Sequence, residues 1–434
     1  MSHPGDLSAY VRAAAAAGQL VVQPRMGMAN PVRMRDGLLA VRGADAHTVG
    51  TITLDSYTRV GDHDGARSAL EDGGELNGFP IVAHDPRIVR EVVSAVPDRP
   101  IQVRHGSAVP ESIFAAMSVS GLSATEGGPV SYCLPYGRTP LRESVHRWRE
   151  ASSHLVESSA AAGRRAHIET FGGCLLGQLC PPSLLVAVSL LEGMFFAQRG
   201  VPTVSLSYAQ QTNAVQDVEA LAALRELAGR FLPGAVDWHI VLYTYMGLYP
   251  TTESGAMLLL DRSAELAVRG GAERLIVKTA MEAHRLPTVA ENVRALERAA
   301  RLAQQARRRS ALPRYDEVDH SEVLAEATAM VEAVLELSED IGTGLLNAFQ
   351  QGLLDVPFCL HEDNRGLTQG WIDDGGRLVW VKQGRLPLPA TARRAVAERV
   401  SSSGLLRMLA YTSTRFDQLA MEAEAAPAAV EWAK

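Results

Sequence analysis

The stretch from Ala124 to Tyr136, ATEGGPVSYCLPY, sets one carboxylate, Glu126, near two phenols, Tyr132 and Tyr136. Its glycines and prolines rule out a helix interior, and its irregularity rules out a long strand. An acid here can receive an amine, and a phenol can hydrogen-bond a carboxylate. Arginines recur at the ends of short β-branched runs: Arg25 after LVVQP, Arg59 after TITLDSYT, and Arg104 with His105 in QVRH. An arginine at an inward or terminal strand position is costly unless it has an anion to bind. Its planar fork fits a carboxylate bidentately. Three of them on one rim would clamp a dicarboxylate, and Glu126 on that rim would suit an ammonium group. Together they describe an acidic amino acid. Each arginine alone reads equally well as a rim ion pair, and the tyrosines as loop packing with their hydroxyls in water.

These residues need a frame that gathers them. Nine short runs carry β-branched residues: GQLVVQPR, TVGTITLDSYTR, GFPIVAH, RPIQVRHG, GLSATEGG, AHIETFGG, PTVSLSYA, WHIVLYTYMG and RLIVKTAME. Helical stretches such as PRIVREVVSAV, LRESVHRWREASSHLVESSAAAG and VQDVEALAALRELAGRFL separate many of them. That alternation predicts an α/β chain with a parallel sheet and crossover helices. Nine runs without a strong break predict a TIM (β/α)8 barrel over residues 1–310, with one run left over. Its active site would lie where the strands end. The last run ends in Lys278 and continues to Glu282. Residues 311–434 read as a smaller α+β region. It holds two helices around SEVLAEATAMVEAVLELSED and IGTGLLNAFQQGLL, a hairpin in GWIDDGGRLVWVKQG, and a C-terminal helix.

Composition narrows the function classes. The 434 residues are 47% apolar and 21% charged, with a net charge of -7, which favours neither a nucleic acid nor a membrane surface as partner. The four cysteines lack CxxC or zinc spacing and read as free thiols in a reducing cytoplasm. The N-terminus has no basic n-region or long apolar core. The longest apolar run, SLLVAVSLLEGMFF, is too short to span a bilayer and carries Glu192. FGGCLLGQL lacks phosphate-loop spacing, and GDHDG reads as a solvated turn rather than a metal site. No HExxH, GxSxG or Cys-His signature occurs, and no metal ligands are assigned.

QPRMG, TLDSYTR, LNGFP, VRHG, TEGGPVSYCLPY, FGG, LCPPS, QDVEALAALREL, MGLYP, LIVKTAMEA, LPTVAEN and IGTGLLNAFQQGLLDVPF follow one another in an order that resembles the large (epsilon) subunit of glutamate mutase, also called methylaspartate mutase. The likeness runs from about Gly18 to about Pro387. It implies a TIM-barrel subunit of an adenosylcobalamin-dependent carbon-skeleton mutase. It also implies that Arg25, Arg59 and Arg104 grip the substrate carboxylates and that His105, Glu126, Tyr132 and Tyr136 contact substrate. Gly27, Asn77, Pro135, Tyr249, Lys278, Glu282 and Leu286 match positions that contact adenosylcobalamin. The implied reaction interconverts L-glutamate and (2S,3S)-3-methylaspartate by a radical path, through a glycyl radical and acrylate. A cobalamin carrier of this kind shows Asp-x-His-x-x-Gly, which is absent here. The resemblance therefore implies a separate small cobalamin-binding subunit, without which this chain is inactive. It suggests a homodimer of this chain flanked by two small subunits, a heterotetramer.

The departures from the family pattern lie at the rim assigned to the cofactor. The segment before the first strand is shorter, Cys133 stands where the pattern has Asn, and Pro129 replaces the loop's third glycine. Tyr243 and Thr244 replace a His-Gln pair, MGLYP stands for MGGFP, and KTAMEA for KTPHEA. Two other readings follow from these changes. One is a related mutase for a modified acidic amino acid in secondary metabolism. The other is a non-catalytic partner of a cobalamin-binding protein.

Overall fold

The computed structural model describes residues 5–135, 137–175, 179–390, 392 and 401–431. Eight of the nine runs form strands: β1 (Val21–Pro24), β2 (Gly50–Thr53), β3 (Ile101–Arg104), β4 (Ala124–Glu126), β5 (His167–Glu169), β6 (Thr203–Ala209), β7 (Asp237–Tyr243) and β8 (Arg274–Val277). They pair in parallel in the order β1-β8-β7-β6-β5-β4-β3-β2. A bridge between Val22 and Thr48 joins β1 to the approach of β2 and nearly closes the ring as a TIM barrel. Side chains cap several helices that follow the strand ends. Asn213 and Thr252 each accept from a first-turn N–H, and Thr288 with Glu291 forms a capping box.

The spare run is GFPIVAH. Gly78 to His84 forms no strand. Its apolar content serves as a plug: Phe79 and Ile81 are buried, and the Phe79 N–H donates to the Thr53 carbonyl at 2.9 Å. Proline 80 removes a donor that a barrel strand would need. A second expectation is also corrected. Arg59 does not end a strand. β2 stops at Thr53, because Asp55 accepts from the Thr58 N–H at 3.0 Å and starts the short helix Ser56–Val60 that carries Arg59.

The barrel interior is polar where branched aliphatics are usual. Gln23 donates to Thr51 at 2.9 Å and to Gln102 at 2.8 Å, and Gln102 donates to Glu169 at 3.2 Å. Fully buried Arg274 donates to Gln23, Glu169 and Ser205. His167 stacks on His239 with centroids 5.5 Å apart. Burial, with Arg274 nearby, pushes His167 down from 6.5 to about 3. The folded protein then refuses a proton that the unfolded chain takes up below its ordinary value. Stability contributed by neutral His167 is therefore lost as the pH falls from 6.5 towards 3. Replacing His167 with Asn is expected to shrink the difference in unfolding free energy between about pH 7.5 and about pH 5.5 by about 1.4 kcal/mol. Urea melts at the two pH values measure it, and an unchanged difference would refute it.

The appendage follows its sequence reading. Helices Ser321–Leu337 and Ile341–Gln351 precede a hairpin of β9 (Thr368–Ile372) and β10 (Leu378–Gln383), and the helix Ser402–Glu431 ends the chain. The hairpin docks on the barrel helix Ala214–Phe231. Gln216 exchanges two 2.9 Å bonds with Leu378, and Arg377 pairs with Glu219 at 2.5 Å. From the C-terminal helix, Asp417 accepts from both N–H groups and both hydroxyls of Thr251 and Thr252, at the start of the helix that follows β7. Among the described residues no helix is long and apolar enough to cross a membrane.

Candidate functional site

The register of the barrel brings the expected chemistry together. Val103 pairs with Thr125 and Glu126 with Glu169, so Arg104, Glu126 and Glu169 stand side by side at the ends of β3, β4 and β5. Two adjacent buried carboxylates would repel each other. Arg104 lies between them, 3.1 Å from Glu126 and 3.4 Å from Glu169, and Arg274 holds Glu169 from the barrel floor. Burial raises the Glu126 pKa, and Arg104 only partly offsets it. Burial would raise Glu169 too, but Arg274 and Arg104 overcome that and hold it at about 2.

Glu126 also accepts the His105 N–H at 3.2 Å and the Tyr132 hydroxyl proton. The loop that delivers Tyr132 is sharply constrained. Gly127 has φ +122, and a Cβ at Gly128 would overlap the Glu192 carboxylate. Glu192 is the one acid of a mostly apolar, largely buried helix, Pro182–Gln198. It accepts from the N–H groups of Val130 at 3.1 Å and Ser131 at 2.9 Å, and from the Ser131 hydroxyl at 2.9 Å. It therefore holds the loop in place.

His105 stacks on Trp148 at 5.5 Å and meets Phe114 and Tyr132 edge-on. Burial, reinforced by Arg59 and Arg104, lowers its pKa to about 3, so the ring is neutral. Nδ1 accepts the Ser107 N–H at 3.0 Å, which assigns the proton to Nε2. That buried Nε2 has no partner among the described residues. It is a donor free to meet a ligand.

A cleft of about 920 Å3 adjoins this cluster and is lined in part by Arg25, Arg59 and Gly27. Asn77, Lys278, Glu282 and Leu286 complete its walls. Arg59 links the two places, because its Nε donates to the His105 carbonyl at 3.0 Å. A Cβ at Gly27 would overlap the Thr53 carbonyl oxygen. Arg25 and Lys278 share Glu282, at 3.1 and 3.0 Å. Burial lowers Lys278 to about 8 although Glu282 opposes it. Its Nζ lies 4.8 Å from the centroid of Tyr249, whose buried hydroxyl has no partner among the described residues. Pro135 lines a separate cavity of about 610 Å3, together with Phe358 and His361. Tyr136 lies outside the described residues.

The three arginines do not form one fork. Arg104 is buried in the cluster, whereas Arg25 and Arg59 line the cleft. Cys133 lies 3.7 Å from His361, but burial pushes its thiol up to about 12, so it is inert. Among the described residues no group of three or more potential ligands could hold a metal ion. GDHDG is a capping turn, in which Asp62 accepts from the Gly65 N–H at 2.9 Å.

Sequence reasoning missed the roles of Glu169, Tyr243, Arg274 and Glu192 at this site. For the first three a signal existed. Strands of a parallel barrel are buried on both faces, so the alternating polar residues of HIE, DWHIVLY and RLIV mark the inward side.

The model of the methylaspartate mutase E chain family matches residues 3–408. The chain is 32% identical over 404 residues to the glutamate mutase epsilon subunit of Yersinia enterocolitica, covering 89% of this chain and 83% of that one. Against the Haloarcula marismortui subunit of the same name it is 32% identical over 392 residues, covering 88% and 80%. Against that of Halobacterium salinarum it is 33% identical over 350 residues, covering 79% and 73%.

Proposed function

The chain belongs to the methylaspartate mutase E chain family, and we propose that it is the catalytic subunit of an adenosylcobalamin-dependent isomerase interconverting L-glutamate and (2S,3S)-3-methylaspartate in the cytoplasm. The observation that carries the reading is the cluster of Arg104, Glu126 and Tyr132 at two neighbouring strand ends, beside a cleft bordered by Arg25 and Arg59. Its groups match two carboxylates and one ammonium.

The cleft suits the upper face of the cofactor. Gly27, Asn77 and Lys278 line it, and the buried Tyr249 hydroxyl beside Lys278 lacks a partner among the described residues. Gly27, Asn77, Tyr249, Lys278, Glu282 and Leu286 would hold it, whereas Pro135 faces the separate cavity. When bound, adenosylcobalamin would supply the carbon-radical chemistry that rearranging the glutamate skeleton requires.

The protein's own part is binding and exclusion. Arg104 exchanges Glu126 for a substrate carboxylate, and the released Glu126 takes the ammonium. Arg59 and Arg25 receive the substrate's α-carboxylate at the cleft, with Tyr136 as a further donor, which leaves the second, side-chain carboxylate to Arg104. The Nε2–H of His105 donates to a substrate oxygen. The buried, aromatic surround keeps water from reactive fragments and holds them within reach of each other. Residues 1–310 form the catalytic domain and 311–434 a supporting region. A small partner with Asp-x-His-x-x-Gly would hold the cofactor's lower half, and two such partners would flank a homodimer of this chain.

Mixing the chain with such a subunit, adenosylcobalamin and glutamate is expected to give 3-methylaspartate and a cob(II)alamin spin signal. The absence of both product and signal would sink the proposal. A second reading, a modified acidic amino acid as substrate, is favoured by the Tyr243 hydroxyl, which accepts from Arg104 within the cluster. An analogue that turns over far faster than glutamate would select it.

A further inference from the structure

The groups around Arg104 are not equally fixed. Its bond to Glu126 is 3.1 Å, and its contact with Glu169 is longer at 3.4 Å. Its shortest contact is to neither acid: Nη2 donates to the Tyr243 hydroxyl at 2.9 Å. The same guanidinium lies 4.9 Å from the centroid of the Tyr243 ring, so Tyr243 meets Arg104 through both its hydroxyl and its π-face. The hydroxyl proton of Tyr243 goes to Glu169. Glu169 is itself held by Arg274, Gln102 and Ser205. A continuous chain of hydrogen bonds therefore runs from Arg104 through Tyr243 and Glu169 to Arg274 on the barrel floor.

Tyr243 is also immobile. It is fully buried, it ends the seven-residue strand β7, and it pairs with Ala209 on one side and Ile276 on the other. Phe171 packs edge-on against its ring at 5.4 Å. Glu126, by contrast, has alternative donors in the His105 N–H and the Tyr132 hydroxyl, so it can release Arg104 without being stranded.

We propose that Tyr243 is a positioning residue: it holds the Arg104 guanidinium when Glu126 is surrendered to the substrate's ammonium, and so sets the preference for a substrate with a second carboxylate. The inference rests on reading Arg104 and Glu126 as substrate-holding groups. Without the hydroxyl, Arg104 keeps its charge but not its orientation, and a planar fork binds a carboxylate well only when aligned.

The test uses the reconstituted complex with Tyr243→Phe, which keeps the ring. The KM for glutamate is expected to rise roughly tenfold, the scale of one hydrogen bond to a charged group, with kcat changed less than about threefold. Equilibrium dialysis of labelled glutamate should show the same rise in Kd. Binding of 2-aminobutyrate, which lacks the second carboxylate, should barely change. Tyr243→His, with a hydrogen-bonding ring, should recover the preference, so either variant supports the comparison if the other fails to fold. A residue that merely supports the fold would lower the melting temperature and the fraction of active sites, leaving KM and preference as they were. That outcome, or equal weakening of both ligands, overturns the inference. A wild-type complex that neither binds nor converts glutamate overturns the functional reading itself, and this inference with it.

Discussion

Replacing Arg104 with methionine is expected to lower kcat/KM by a factor on the order of 10^3, because one partner of a buried, hydrogen-bonded charge cluster is removed. The methionine fills much of the same volume, so packing is not the main loss. What goes is the cation between Glu126 and Glu169, which lie in register on neighbouring strands. Glu126, already raised in pKa by burial, would then be driven further towards its protonated form and would no longer attract an ammonium group. Lysine should not rescue the activity. A point charge cannot reach Glu126, Glu169 and the Tyr243 hydroxyl together as the fork does. Steady-state kinetics of the reconstituted complex decide the matter. A methionine variant within tenfold of wild type would remove Arg104 from the substrate site.

Replacing Glu169 with glutamine should act first on stability. The carboxylate is the shared anion of Arg104 and Arg274, and it also accepts from Gln102, Ser205 and Tyr243. Both arginines are buried. Arg104 keeps Glu126, but neutralising Glu169 leaves the buried charge of Arg274 uncompensated, a loss of about 3–5 kcal/mol in unfolding free energy. A pH signature separates this from ordinary repacking. Glu169 is held at about 2, against an ordinary 4.5. Its folded pKa is depressed, so its stabilisation is present above the ordinary value and is lost as the pH falls from 4.5 towards 2. That span corresponds to about 3 kcal/mol of acid-dependent stability. The glutamine variant should lack that part of the acid loss. Denaturant melts between about pH 7 and about pH 3 test it, and parallel stability curves for the two proteins would rule out the assigned role.

Much of the site could be read before the fold was known. Arg104 and Glu126 each end a short β-branched run, and a parallel barrel gathers strand ends on one face, so their shared rim followed from alternation alone. Arg59 was harder. TITLDSYTR reads as one strand, yet the Asp55 cap turns the chain into a helix and delivers the arginine from a different direction. GFPIVAH was ambiguous for a related reason. A buried plug and a buried strand call for the same apolar residues, and only the missing ladder tells them apart.

By itself, the sequence determined the barrel, the appendage, the family, and which charged residues end which strands. These depend on local pattern, which is a property of neighbours along the chain. Tertiary structure alone decided the partners. Glu126 and Glu169 are 43 residues apart, and Arg274 and Tyr243 are farther still along the chain. They meet because the register fixes which strand ends lie level and because ring closure brings β7 and β8 round to the other strands. The sequence therefore names the arginine and the acid. Only the closed barrel makes them a balanced cluster, with Tyr243 against the guanidinium and His105 Nε2 left without a partner among the described residues.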